Sequence, residues 1–304
     1  MDDRTKLDLL CIATYCVIDE VYQSSATLEP IRTRRNAHKG LSDVELITAV
    51  IVGEANGHPK GKGLYRWVCC QFPGWFPQMP EWSRFLKRWK ALSEVIDWIR
   101  IELQHRDGIV SDPHLIIDTM PIAVCTLGHA PRTKSFRGVA DWGYCASKQE
   151  HYFGFQFHGL IALGGDMIDF ELCAASVDEL DGLEDLQDAY AYKVVLGDLG
   201  YLSRYRTEQI ESARQCQIWT PRRKNQTQQH APGVQGFLCR VRRRIETVYS
   251  LLTERFAITS VTARTIWGLA MRIKTKLLAY TVVKHLARQH GADYLDLSLE
   301  FSFN

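Results

Sequence analysis

A chain of 304 residues, 46% hydrophobic, is long enough for one large domain or two ordinary ones around a sizeable core. It has no run of about 18 apolar residues, which excludes a helical membrane span, and its charge-dotted first ten residues do not read as a secretory signal. The net charge is only +2, and nine scattered cysteines without a Cys-x-x-Cys pair fit reduced thiols in a cytosol and give no reason to expect zinc.

Residues 1–110 read mostly as helix. Apolar residues recur at helical spacing over 6–22. Ser42-Asp-Val-Glu45 has the form of a capping box, with a helix over 44–52 behind it. Turn signals fill 53–63, a short helix is expected over 67–72, and Pro73, Gly74, Pro77 and Pro80 break the chain. A longer helix is expected over 81–104, with Phe85, Leu86, Trp89, Leu92, Val95 and Ile96 as its apolar stripe. Such short helices suit either a helix-turn-helix module or a plain helical cap.

After Gly108 the pattern turns to strands, expected over 114–118, 152–162, 167–174, 193–197 and 217–220, with a turn at Gly164-Gly165-Asp166. Helices are expected over 177–190, 205–215, 233–256 and 264–289. Three strands with a hairpin, then helix, strand, helix, strand and helix, is the order of a ribonuclease-H-like fold. The expected architecture is α/β: a mixed five-stranded sheet with flanking helices, preceded by a mostly helical domain. The boundaries so read are 1–110, 111–262 for the sheet domain, and 263–304 for a last helix and tail serving packing or oligomerisation.

Charge is unevenly spread. Residues 150–200 carry one basic residue against eleven acidic ones; residues 201–290 carry seventeen Lys and Arg against four Glu. The basic block is either a phosphate-binding surface or a solvated helical face.

Three acids stand at ends of expected elements or within the basic helix. Asp118 closes His114-Leu-Ile-Ile-Asp118, Asp198 closes Lys193-Val-Val-Leu-Gly-Asp198, and Glu246 lies in Arg240-Val-Arg-Arg-Arg-Ile-Glu246. Each has an ordinary use: a turn residue before Pro121, an Asx-turn between two glycines, and a helical pair with Arg242 at i−4. Together they suit metal-assisted phosphoryl transfer, because three convergent carboxylates can hold a pair of Mg²⁺ ions. The apolar run Leu115-Ile-Ile117 marks a central buried strand, where an Asp must be paired or bind a cation. Asp178, Glu179 and Asp181 open a helix and suit its dipole. His114 and His158 read as core residues, and Asp141 as a loop residue.

Basic side chains surround these acids in the chain. Arg132, Lys134 and Arg137 follow the first strand, Arg222, Arg223 and Lys224 follow the fifth, and Arg242, Arg243 and Arg244 fan around the last helix of the sheet domain; all are candidates to grip phosphate. Trp142, Tyr144, Tyr152 and Trp219 are available either to stack on an unpaired base or to pack a core.

The motifs Ile117-Asp-Thr-Met-Pro121, Tyr152-Phe-Gly-Phe-Gln-Phe-His158, Gly197-Asp-Leu-Gly-Tyr201, Thr220-Pro-Arg-Arg-Lys-Asn225 and Arg244-Ile-Glu-Thr-Val-Tyr-Ser250 resemble bacterial insertion-sequence transposases of the DDE superfamily, insertion-sequence family 982 in particular. The resemblance implies a catalytic triad of Asp118, Asp198 and Glu246 holding two Mg²⁺ ions, with Mn²⁺ able to substitute. It implies a helical N-terminal domain that binds the element's terminal inverted repeats, and double-stranded DNA, both element ends and target, as partner. It also implies a homodimer or larger assembly on DNA, in the bacterial cytoplasm at the nucleoid and without a membrane. Arg242 and Glu246 match the Arg and Glu of the Tyr-Arg-Glu-Lys signature of related enzymes, whereas Cys239 and Thr253 replace its Tyr and Lys, and Gln156 replaces a lysine common in the strand motif. The expected activity is cleavage of element ends and joining of the 3′-hydroxyl to target DNA. A metal-dependent nuclease or resolvase of the same fold, or a catalytically silent DNA-binding protein, are the rival readings.

Overall fold

The computed structural model describes residues 3–30, 40–146, 148–186, 189–201, 203–222, 229–231 and 233–291. In chain order the elements named below are α1 (Asp3–Ser24), α2 (Asp43–Ala55), α3 (Gly61–Gln71), α4 (Trp82–Ala91), α5 (Ser93–Arg106), β1 (His114–Ala123), β2 (Asp141–Cys145), β3 (Glu150–Ala162), β4 (Met167–Ala174), α6 (Glu179–Asp185), β5 (Val194–Leu196), α7 (Arg204–Arg214), β6 (Gln217–Trp219), α8 (Val234–Glu254) and α9 (Ile266–Gln289). They fall into two compact units. One comprises Met1–Asp107, Leu252–Ala263 and Trp267–Asn304; the other comprises Gly108–Leu251 with Arg264–Ile266.

The first unit is helical and is organised around α2. The capping box starts that helix: Ser42 Oγ accepts from the Glu45 N–H at 3.1 Å, and the Ser42 N–H donates to Glu45 Oε2 at 2.5 Å. The helix is apolar around most of its circumference and is buried accordingly, with Leu46, Ile47, Val50 and Ile51 fully enclosed. The periodic pattern over 81–104 does not form one helix. It breaks at Leu92, whose N–H donates to the carbonyls of Arg88 and Trp89 before α5 begins at Ser93. The apolar residues of α9, Leu269, Ile273, Leu277 and Tyr280, are buried within this unit. Among them lies a network of charges. Glu54, fully enclosed, accepts from Arg272 Nε at 2.9 Å and from Lys276 Nζ, which also donates to the Phe256 carbonyl. The Arg272 guanidinium lies 5.0 Å over the Trp89 ring, and Trp89 Nε1 donates to Thr275 Oγ1 at 3.0 Å.

The second unit is built on a mixed sheet. β1 lies at its centre, antiparallel to β3 on one side and parallel to β5 on the other, and β6 extends the parallel edge. β4 runs antiparallel along the far edge of β3. These are the five expected strands in the pairing of a ribonuclease-H-like fold. A sixth short strand, β2, continues that far edge by pairing with residues 150–154 of β3, so Asp141 opens a strand where a loop was expected. The apolar run of β1 is the buried heart of the sheet: Leu115, Ile116 and Ile117 are enclosed. Leu115 and Ile117 face a core with Leu160, Leu183, Val195 and Tyr201, on the side of α6 and α7. The expected acidic helix over 177–190 is much shorter, since Asp178 caps it by accepting from the Leu180 N–H and it ends at Asp185.

Candidate active site

Asp118 is not the last residue of its strand, as the sequence had suggested. Pairing with β3 carries β1 on to Ala123, while pairing with β5 stops at Ile116. One edge of β1 is therefore open beyond Ile116, and an open edge tolerates Pro121. Asp118 stands where the parallel ladder ends. Its register partner on β3 is Gly159, so the Asp118 side chain shares a face with Gly159 and with Met120 and Phe157. That face meets α8. The Tyr249 hydroxyl is inserted between the two strands, donating to the Asp118 carbonyl at 2.6 Å and accepting from the Gly159 N–H at 3.1 Å. Only a glycine fits at position 159, because a Cβ there would lie 2.6 Å from that hydroxyl. Tyr249→Phe would leave a buried N–H and carbonyl without partners. It is expected to cost about 1–3 kcal/mol in chemical denaturation, and an unchanged midpoint would contradict this role.

Asp198 lies two residues past the end of β5 and forms the Asx-turn its glycines suggested: Oδ1 accepts from the Gly200 N–H at 2.7 Å. Its Oδ2 lies 3.7 Å from Arg242 of α8. Glu246 is one turn further along that helix and exposed, beside the buried stripe of Ile245, Val248 and Leu252. Asp118 feels the negative charge of both Asp198 and Glu246 and the positive charge of Arg242. The three acids foreseen in the sequence thus lie within one electrostatic neighbourhood.

A fourth acid joins them. Glu179, at the start of α6, accepts from Thr119 Oγ1 at 3.3 Å and feels the negative charge of Asp198 and Asp118. Its Oε2 is buried and has no hydrogen-bond partner among the described residues. The same oxygen occupies the space a side chain at Gly200 would need, 1.6 Å from an ideal Cβ. Sequence reasoning assigned Glu179 to the helix dipole. The signal available was its place in the first turn of the helix that follows the hairpin strands, which returns it to the sheet edge where β1 and β5 part.

Burial, more than any other cause, pushes the Asp118 carboxyl up to about 6, with Asp198 and Glu246 adding to it against the Thr119 N–H and Arg242. Burial followed by Asp198 and Asp118 pushes Glu179 up to about 7. The folded state therefore favours protonated Asp118. That preference contributes fully below the ordinary carboxylate range, at about pH 4, and is lost as pH rises through about 6. Asp118→Asn removes the ionisation, and is expected to stabilise the protein by about 2–3 kcal/mol at pH 8 and by little at pH 4. Thermal melts at the two pH values test this, and an equal shift at both would refute it.

The basic candidates divide. Arg132, Lys134 and Arg137 are exposed in the segment after β1, and Arg243 is exposed on α8. Arg242 faces the acids, with its Nε unpartnered among the described residues. Arg244 and Arg222 are half-buried; the Arg222 backbone exchanges hydrogen bonds with the Gln235 amide. Arg223 and Lys224 lie outside the described residues. His158 is wholly enclosed against Gly182, with burial pushing it down to about 4, and is a neutral core histidine.

The four carboxylates offer only hard oxygen donors, and Arg242 is the cation set against them, so the chemistry of the donor set suits a divalent cation of the Mg²⁺ type. Among the described residues no three His, Cys, Asp or Glu side chains are close enough as they stand to hold one ion. No helix among the described residues is long and apolar enough to cross a membrane.

A mixed sheet with β1 at its centre, parallel strands β5 and β6 on one side and flanking helices defines a class, that of the ribonuclease-H-like α/β folds. Within it the family is narrower. Residues 110–265, just over half the chain, match the family model described as Transposase DDE domain, and the chain belongs to that family. Membership implies an enzyme that acts on DNA. No curated protein and no solved structure matches the chain.

Proposed function

We propose that this chain is an insertion-sequence transposase, akin to insertion-sequence family 982, that cleaves the ends of its element and joins the freed 3′-hydroxyl to target DNA. The observation that carries the reading is the gathering of Asp118, Asp198 and Glu246 from three separate elements within a transposase DDE domain. These three side chains would hold two divalent cations, Mg²⁺ or Mn²⁺. When bound, such ions activate the attacking water or hydroxyl and offset charge on the departing oxygen. Arg242 stands beside Asp198 to steady the scissile phosphate, and Arg243 and Arg244 add positive charge on other sides of the same helix for phosphates further along the DNA. Residues 1–110 bind the terminal inverted repeats, 111–262 carry the chemistry, and 263–304 pack or assist assembly. Two ends must be held together, so the working form is a homodimer or larger on DNA, in the cytoplasm at the nucleoid. Incubation with Mg²⁺ and DNA bearing the element's ends should give nicked ends and, from a pre-cut end, a joined product. Cutting without joining would identify a nuclease of this fold, and neither would identify a DNA-binding protein.

A further inference from the structure

Beyond the acids, β3 continues past the end of β1 as a two-stranded arm with β2. The two faces of this arm differ. One is anchored by a small core of Cys145, Tyr152 and Ala175. The other presents Trp142 and Tyr144, 44% and 56% exposed, each set against a cross-strand aromatic: Trp142 on Phe153 at 5.5 Å and Tyr144 on His151 at 5.0 Å between centroids. Nothing in the described core requires two aromatics there.

The side on which this face lies follows from register. Gly159 pairs with Asp118, and Phe157, Phe155 and Phe153 lie on the same side of β3 as Gly159, at alternate positions. Trp142 pairs with Phe153. The aromatic face is therefore on the Asp118 side of the sheet, six residues along β3, or about 20 Å away. Between the two, Phe136 packs on Phe155 at 5.3 Å. It is buried although its φ is 60°, a conformation costly for a bulky side chain, so the segment carrying exposed Arg132, Lys134 and Arg137 is pinned to this face. Asp141, next to Trp142 in the chain, is engaged by the Ser176 hydroxyl at 2.7 Å and the Trp142 N–H at 2.8 Å, and Glu150, opposite Cys145, lies on the other face of the arm.

Acids, then cations, then exposed aromatic rings along one face match an acidic backbone whose bases have come unpaired. We propose that Trp142 and Tyr144 form a stacking platform for unpaired DNA bases a few nucleotides from the scissile phosphate, with Arg132, Lys134 and Arg137 gripping the intervening phosphates. This rests on the reading of the chain as a DNA-cutting enzyme and names how its DNA is held. A second copy of the chain is the other occupant to be tested, but three exposed cations on the segment that Phe136 pins between acids and rings favour the polyanion.

The test uses the full chain, Ca²⁺ in place of Mg²⁺, and two probes: a blunt duplex, and the same duplex with a short single-stranded tail carrying 2-aminopurine. The wild type is expected to prefer the tailed probe and to quench its fluorescence. Trp142→Ala/Tyr144→Ala should lose about tenfold or more in affinity for the tailed probe, lose the quenching, and bind the blunt duplex as before. Trp142→Phe should restore most of the quenching. Both residues are exposed and the anchoring face is untouched, so the variant should lose only the two cross-strand pairs and stay fully folded under the assay conditions. Equal binding of both probes by wild type and variant, or a change in oligomeric state as the only effect, would overturn the platform while leaving the transposase reading intact. A wild type that binds neither probe would overturn both.

Discussion

Replacing Asp198 by asparagine is expected to lower Mg²⁺-dependent DNA cleavage by about a thousandfold or more, equivalent to about 4 kcal/mol of transition-state stabilisation. The choice of asparagine matters. Asp198 has a structural task as well as a chemical one, since its Oδ1 closes the turn by accepting from the Gly200 N–H. An amide oxygen can keep that bond, so the fold is retained while the negative charge is lost. Alanine would remove both and confuse the two roles. Binding of end DNA should be unchanged or tighter, because one carboxylate that repels phosphate has gone and Arg242, 3.7 Å away, is freed to meet it. A variant that still cuts at the wild-type rate would exclude Asp198 from the chemistry. The same comparison at Glu179, Glu179→Gln against wild type, asks whether the fourth acid contributes to turnover or only to the field around Asp118.

Much of the framework around this candidate site is legible in the sequence. The first half of β1 announced itself through the three consecutive apolar residues Leu115–Ile117, because a central strand is covered on both faces and cannot alternate, whereas its run on to Ala123 left no such mark. The turn at Asp198 was legible through its flanking glycines, and the buried stripe beside Glu246 through its helical spacing. Other features left no local trace. The break at Leu92 interrupts an apolar stripe that continues in register on both sides, so periodicity reads through it. β2 is five residues long, with mixed exposure and a central glycine, and gains its order only by pairing with the overhang of β3. Glu179 satisfies a helix-dipole rule perfectly well by itself; only the return of α6 to the sheet edge turns it toward Asp118 and Asp198. Tyr249 is likewise an ordinary helix aromatic until the missing side chain at Gly159 lets its hydroxyl enter the ladder.

In the helical unit the largest loss of stability is expected from Glu54→Ala. Glu54 is fully enclosed and is the carboxylate that Arg272 and Lys276, themselves buried, both meet. Its removal leaves two uncompensated cations in a dry core, a lesion worth about 3–5 kcal/mol, a large fraction of the total for an ordinary domain. The loss should depend on pH in a definite direction. Burial already lowers the Lys276 pKa, with Glu54 the chief opposing influence. Without Glu54 the neutral amine is favoured further, so folding is helped above the lysine's unfolded pKa and penalised as pH falls. The defect should therefore be smaller at pH 10 than at pH 7 in urea unfolding. Adding Lys276→Met to Glu54→Ala removes one orphaned charge at similar volume and should recover part of the stability, because a buried ion pair gains little over well-packed apolar groups once its desolvation is counted. Recovery is expected to be incomplete while Arg272 stays buried over Trp89. A single variant as stable as the wild type at pH 7 would show that Glu54 does not hold these cations.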